Sequence, residues 1–219
     1  MSVVLNGLSG GGALVSFTFF IIGCIGFGTH QKVIENVAWI HADNNNLDIY
    51  YGLQYIYVNN NDHRSSYRYG NSYECTEDYC DKCRDEGRVT FSLLIIATIF
   101  SAWAIWLSST LVSSPSNSSN YFVNQVMNLS ASLGAAVTSL IAISIFMGDC
   151  YRAVRDSTND NVPALKDANE VEWGQGAAVA TVGMLVMWLI VFFQIIALSM
   201  GASQNKPAAV PAQDPATNL

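Results

Sequence analysis

Apolar positions in this chain gather into four long runs, with the polar positions between them. The runs are residues 11–29, 90–112, 125–148 and 176–200. Each approaches or exceeds the roughly 20 residues that, at about 1.5 Å rise, cross a hydrocarbon core about 30 Å thick. Charge sharpens the pattern. No Asp, Glu, Lys or Arg occurs in residues 1–31, 89–148 or 173–205, and 25 of the 27 charged side chains fall within 32–88 and 149–172. A water-soluble domain scatters charge over its whole surface, whereas an ionised group at mid-bilayer costs ~2.5–3.5 kcal/mol on insertion scales. The charge-free stretch 89–148 is too long for one helix, and the polar segment 113–120, with Pro115 inside it, breaks it into two. Four membrane-spanning helices are expected. The first has no Lys or Arg before residue 32, so it lacks the basic start of a cleaved signal peptide and is expected to be retained.

The predicted order is helix 11–29, a large loop 30–89, helix 90–112, a short turn 113–124, helix 125–148, a second loop 149–175, helix 176–200 and a tail 201–219. Inside the first loop the helical pattern gives way to short β-branched and aromatic runs. Residues 37–41 read as a strand, as do 47–51 continuing through 56–58, with Gly52 in the middle. The Asn/Asp clusters at 43–46 and 59–62 read as turns, beyond which 65–69 and 73–75 would pair. Gly52 within such a run predicts a bulge or a close backbone contact. Residues 77–88 are charge-dense and suited to a helical turn leading into the second span. The fold class is therefore an all-α membrane four-helix bundle with a small antiparallel β-meander in the first large loop.

An even number of spans puts both loops on one side and both termini on the other. Nine of the ten Lys and Arg residues lie in the loops, which by the positive-inside rule would make them cytosolic. Against this, Cys75, Cys80, Cys83 and Cys150 lie in or beside the loops, an even number that points to disulfides and an oxidising compartment. The rule is weak for long loops, so the loops are placed outside a plasma membrane with cytosolic termini, an organelle membrane being the alternative. A pI near 4.7 argues against nucleic acid as a partner.

Candidate chemistry is sparse. His30, His41 and His63 have no metal-site or catalytic spacing, and no span carries an ionisable residue of the kind that marks ion translocation. No enzyme activity is expected and no cofactor. Gln194 and Asn128, the most polar residues in the spans, are expected to make interhelical hydrogen bonds. Cys75, Cys80 and Cys83, with Cys150 or His63 as fourth ligand, would suit zinc if the loops were cytosolic. Asp156 to Asn161 spaces oxygens somewhat like a calcium loop, but Asn161 replaces the required Gly, leaving a solvated turn and diffuse calcium attraction. Small residues four apart, such as Ala131 and Ala135, predict close helix packing. Cys24 is expected to be an inert packing residue.

Trp39, then Gly52-Leu53, then paired cysteines, then Arg88 before the second span make a first-loop pattern. It resembles that of the claudin and peripheral-myelin-protein superfamily of four-span proteins. Gln54 stands where that family carries a second Trp, the Trp-to-Gly gap is shorter, the Gly-to-Cys gap is longer, and Cys150 has no counterpart. The resemblance implies a disulfide from Cys75 to Cys80 or Cys83, leaving the other to reach Cys150. It also implies a Trp39 ring at the interfacial zone where sheet meets bundle, and an Arg88 capping the second span. The function expected is adhesion, scaffolding or lateral self-assembly through extracytoplasmic loops, with the bilayer and a second copy as partners. Tyr51, Tyr55 and Tyr57, placed by alternation on one strand face, are the interface candidates. The alternatives are an accessory subunit of a larger membrane complex and, more weakly, a channel-forming oligomer.

Overall fold

The computed structural model describes residues 2–26, 31–44, 47–60, 63–69, 78–113, 120–159 and 170–204. Four long helices form the bundle: α1 (Ser2–Ile25), α3 (Asp78–Ser113), α4 (Tyr121–Ile145) and α6 (Gln175–Gln204). Their segments Val4–Ile25, Cys80–Ser113, Tyr121–Asp156 and Gln175–Ser199 are each long and apolar enough to cross a bilayer. Large apolar side chains including Ile99, Trp106, Leu189 and Phe192 point outward from them. Such a surface is stable only against lipid or other membrane helices, so the chain is a multi-pass integral membrane protein. α1 packs against α3 and α6, and α4 closes the ring against the same two. Phe20, Leu94, Ala135 and Met187 fill the centre.

The helices outrun the predicted spans. α1 starts at Ser2 rather than 11 and ends at Ile25 rather than 29. α3 has 36 residues, about 54 Å at 1.5 Å each, so its first turns stand clear of a ~30 Å core. The charge-dense 78–88 segment is thus the start of the span helix itself, with Arg88 exposed on it just ahead of the apolar run. α4 runs on through a π-helical turn, Phe146–Tyr151, into α5 (Arg152–Asn159). Asp156 to Asn159, part of the candidate calcium loop, are therefore helical; residues 160–169 lie outside the described residues.

On these projecting ends sits a five-stranded antiparallel sheet of order β4-β3-β2-β1-β5. Its strands are β1 (Ile40–Asn44), β2 (Leu47–Tyr51), β3 (Tyr55–Asn60), β4 (His63–Arg68) and β5 (Glu170–Trp173). The meander is as expected, with two corrections. Val37 ends a short helix, α2 (Gln31–Val37), instead of starting a strand. The second loop, which carries no strand signal beyond four residues, supplies β5, paired to β1 with Ile40 opposite Trp173.

Register gives the sheet two faces. Ile40, Ala42, Ile49, Tyr51 and Ile56 share one, since Ile40 pairs with Tyr51, Ala42 with Ile49 and Tyr51 with Ile56. They belong to one continuous core with Cys80, Cys83, Cys150 and Val154, so this face rests on the ends of α3, the π-turn and α5. On the other face His41, Tyr50 and Tyr57 stack in a row, with centroids 4.6 and 5.9 Å apart. α2 packs on β2 and β3 and buries Ile34.

Candidate functional site: the joint between sheet and bundle

Trp39, immediately before β1, is fully buried. Its backbone N–H donates to Tyr51 O at 2.8 Å, extending the β1–β2 ladder, and its indole Nε1 donates to Gly23 O of α1 at 3.1 Å. One residue thus bonds the sheet with its main chain and the bundle with its side chain. The ring meets Phe146, at the start of the π-turn, edge-on at 5.0 Å. That geometry suits the positive ring edge against a negative ring face.

The hairpin between β2 and β3 makes the second contact. Gly52 N–H donates to Tyr55 O at 2.9 Å, closing the turn, and Leu53 N–H donates to Gly26 O at 2.8 Å. A Cβ on Gly52 would lie 2.6 Å from that same Gly26 oxygen, so a side chain here would push the hairpin off the end of α1. A Cβ on Gly87 of α3 would collide with the Leu53 carbonyl, and one on Gly174 with the Ala38 carbonyl. The close approach expected at Gly52 is present, but as a hairpin turn in place of a bulge. The joint as a whole depends on glycines from three separate segments.

Trp39, Gly52 and Leu53 are therefore brought together, about 13 residues apart in sequence and in contact with the short stretch Gly23 to Gly26 where α1 ends. The Trp39 ring is enclosed by protein where the sheet meets the bundle, and Trp173, just before α6, is half exposed. Gln54, standing where the family pattern has Trp, is within hydrogen-bond reach of the Arg68 guanidinium across the hairpin, 2.8 and 3.1 Å with its amide oxygen turned inward.

Cysteines add a covalent tie. Cys83 of α3 is bonded to Cys150 of the π-turn, a separation of 67 residues, so the first loop's exit is fixed to the second loop's entrance. Cys80 is disulfide-bonded too, and Cys75 lies outside the described residues. Thiols held in disulfides have no thiolate to give, so this oxidised arrangement and a zinc site at the same cysteines exclude each other. Cys24 is free and half-buried.

The tyrosines are placed differently from the expectation. The chain reverses at Gly52–Gln54, so Tyr51 faces the bundle while Tyr55 and Tyr57 face away. Tyr51 and Tyr57 are each 1% exposed and Tyr55 is half-buried, so the first two are packed inside the protomer. What the outer face shows to solvent is Tyr50 with Asp43, Asp48 and Glu172. His41 Nε2 stands 3.7 Å from Asp48 Oδ1. Partial burial, then the charges of Asp48 and Glu35, hold the Tyr50 hydroxyl above its ordinary pKa. Among the described residues no three His, Cys, Asp or Glu side chains gather as a metal site. No family model matches the sequence, and no match to a curated protein is found.

Proposed function

We propose that this protein is a non-enzymatic four-span membrane protein that works in adhesion, scaffolding or lateral self-assembly, using its sheet outside the cytosol. The observation carrying the reading is the joint. The sheet is tied to α1 and its end by Trp39 and Leu53, to the π-turn by the Tyr151 hydroxyl donating to Val171 O at 3.0 Å, and to α3 by a shared core, while the disulfide locks α3 to the π-turn beneath it. Such a platform transmits a lateral or trans contact to the membrane without first having to order a loop. The disulfide supports an oxidising compartment and hence loops outside, at the plasma membrane. The meeting of Trp39, Gly52 and Leu53 at one joint supports membership of the claudin-like superfamily.

The acidic, aromatic outer face and β4 and β5, the edge strands among the described residues, are the surfaces offered. A filled bundle centre argues for pores, if formed, between protomers rather than within one. Ser66, exposed on edge strand β4, gives the test. Ser66→Cys protein in intact cells is treated with a membrane-impermeant bismaleimide, and mass in mild detergent is measured alongside. Crosslinked homodimers and an oligomeric mass are expected. A monomer that crosslinks to nothing through the sheet, and copurifies with unlike chains through its helices, would establish the accessory-subunit reading instead.

A further inference from the structure

Away from the sheet, uncharged polar side chains from all four spans meet in the middle of the bundle. Ser9 of α1, Ser108 of α3, Asn128 and Ser132 of α4 and Gln194 of α6 are each at most 4% exposed. Gln194 Nε2 donates to Ser9 Oγ at 2.7 Å and to Ser132 Oγ at 3.1 Å. Asn128 Nδ2 donates to Ser108 Oγ at 3.0 Å, and Ser108 Oγ lies 3.5 Å from Ser9 Oγ. Both amide nitrogens have partners and both amide oxygens do not. Asn128 Oδ1 and Gln194 Oε1 are both buried without a hydrogen-bond partner. Turning either amide over only exchanges an orphaned carbonyl for an orphaned NH2, because the serines lie on one side of it. An unpaired amide carbonyl in hydrocarbon is expensive enough that native structures rarely leave one bare.

We propose that this cluster is an intramembrane water site, in which ordered water donates its O–H groups to Asn128 Oδ1 and Gln194 Oε1. Buried water is found where polar groups would otherwise be unsatisfied, making about three hydrogen bonds each. Two orphaned acceptors beside serine hydroxyls meet that requirement. A cation fits less well: no carboxylate lies in residues 1–31, 89–148 or 173–205, which hold the whole cluster, to offset its charge, and the amide NH2 groups in the same cluster would face it. The cluster also has a way in. A groove of about 380 Å3 between α1 and α3 is lined by Asn6, Gly7, Gly10, Gly11, Ser108 and Ser109, among others. Ser108 belongs to both groove and cluster. Gly7 and Gly11 leave the groove open, since a Cβ on either would meet nothing within 4 Å. The bundle thus has a dry half under the sheet, packed by Phe20, Leu94 and Phe146, and a hydrated half towards the chain termini.

The test uses the full chain, labelled with 15N at side-chain amides, in phosphatidylcholine nanodiscs with deuterated lipid. Solid-state NMR reads polarisation transfer from water to the Asn128 and Gln194 NH2 groups, assigned by loss of each peak in Asn128→Ser and Gln194→Ser. Transfer to both is expected within the mixing time that reaches the exposed amides of the sheet, and the same spectrum is expected in sodium, potassium and choline chloride. Absence of transfer at both amides while the sheet responds would overturn the proposal. So would a sodium-specific shift of the two signals, which would make the site a cation site. Transfer arising only when protonated diacylglycerol is added would assign the groove to a lipid hydroxyl and equally refute it. A wild-type structure at a resolution that shows water supplies the check if the variants do not fold. None of these readouts depends on assembly.

Discussion

Replacing Trp39 with alanine removes a residue that the sheet holds by its main chain and the bundle by its side chain. A buried Trp covers roughly 150–250 Å2, which at about 25 cal/mol per Å2 is about 4–6 kcal/mol of transfer free energy. Measured truncations of Phe and Trp in cores run at about 3–5 kcal/mol, because the cavity collapses in part. The indole bond to Gly23 O and the edge contact with Phe146 at 5.0 Å contribute roughly 1 kcal/mol each within that total. We expect Trp39→Ala to lose about 4 kcal/mol, close to a factor of 1000 in the folding equilibrium. Trp106, 62% exposed on the outer surface of α3, is the control: its ring leaves lipid for lipid, so Trp106→Ala should cost under about 1 kcal/mol. Trp39→Phe keeps a ring against Phe146 but loses the donor, and should fall between, at about 1–2 kcal/mol. Unfolding in mixed micelles of rising dodecyl sulfate fraction, followed by circular dichroism and by maleimide reactivity of Cys24, measures all three. If Trp39→Ala behaves like Trp106→Ala, the sheet is not anchored through this ring and the account of the joint fails.

Gly87→Ala, whose Cβ would collide with the Leu53 carbonyl, should displace the hairpin and cost more than Gly11→Ala, which faces open space; the same micelle titration ranks them. Cys83→Ser with Cys150→Ser should lose about 4 kcal/mol on the loop-closure model for a 67-residue separation, and non-reducing peptide mapping of the parent should recover the Cys83–Cys150 pair. Ser16→Ala, which removes an interhelical bond to Gly183 O at 2.9 Å, should cost only about 0.6 kcal/mol by the same titration, since helices in a membrane find other partners. Tyr50 is held above the usual tyrosine pKa, so the fold favours its protonated form. That stability is complete below the unfolded pKa of about 10 and is lost as pH rises through the folded value. Phenolate absorbance should show one tyrosine titrating earlier in Asp48→Asn than in the parent.

The sequence by itself determined the membrane class, the number of spans and the presence of a β-meander, because charge exclusion and the change of period from 3.6 to 2 are local signals. It also picked out Trp39, Gly52 and Leu53, though from resemblance rather than from chemistry. Tertiary structure decided the rest. β5 is a four-residue segment with no strand signature of its own, and it is a strand because Ile40 to Asp43 offers it an edge. Tyr51 and Tyr57 look alike in an alternating run, yet the turn at Gly52–Gln54 sends them to opposite faces, and a one-residue change of phase reverses every assignment. Gly87 and Gly174 carry no signal in their own segments; their need is set by backbones that arrive from 34 and 136 residues away, Leu53 and Ala38. The interhelical bonds expected of Gln194 and Asn128 are present, but Ser9, the partner of Gln194, lies outside the predicted runs, and only the bundle places it 2.7 Å from Gln194 across 185 residues. Local patterns record which solvent each segment meets, and only the closed chain records which segments meet each other.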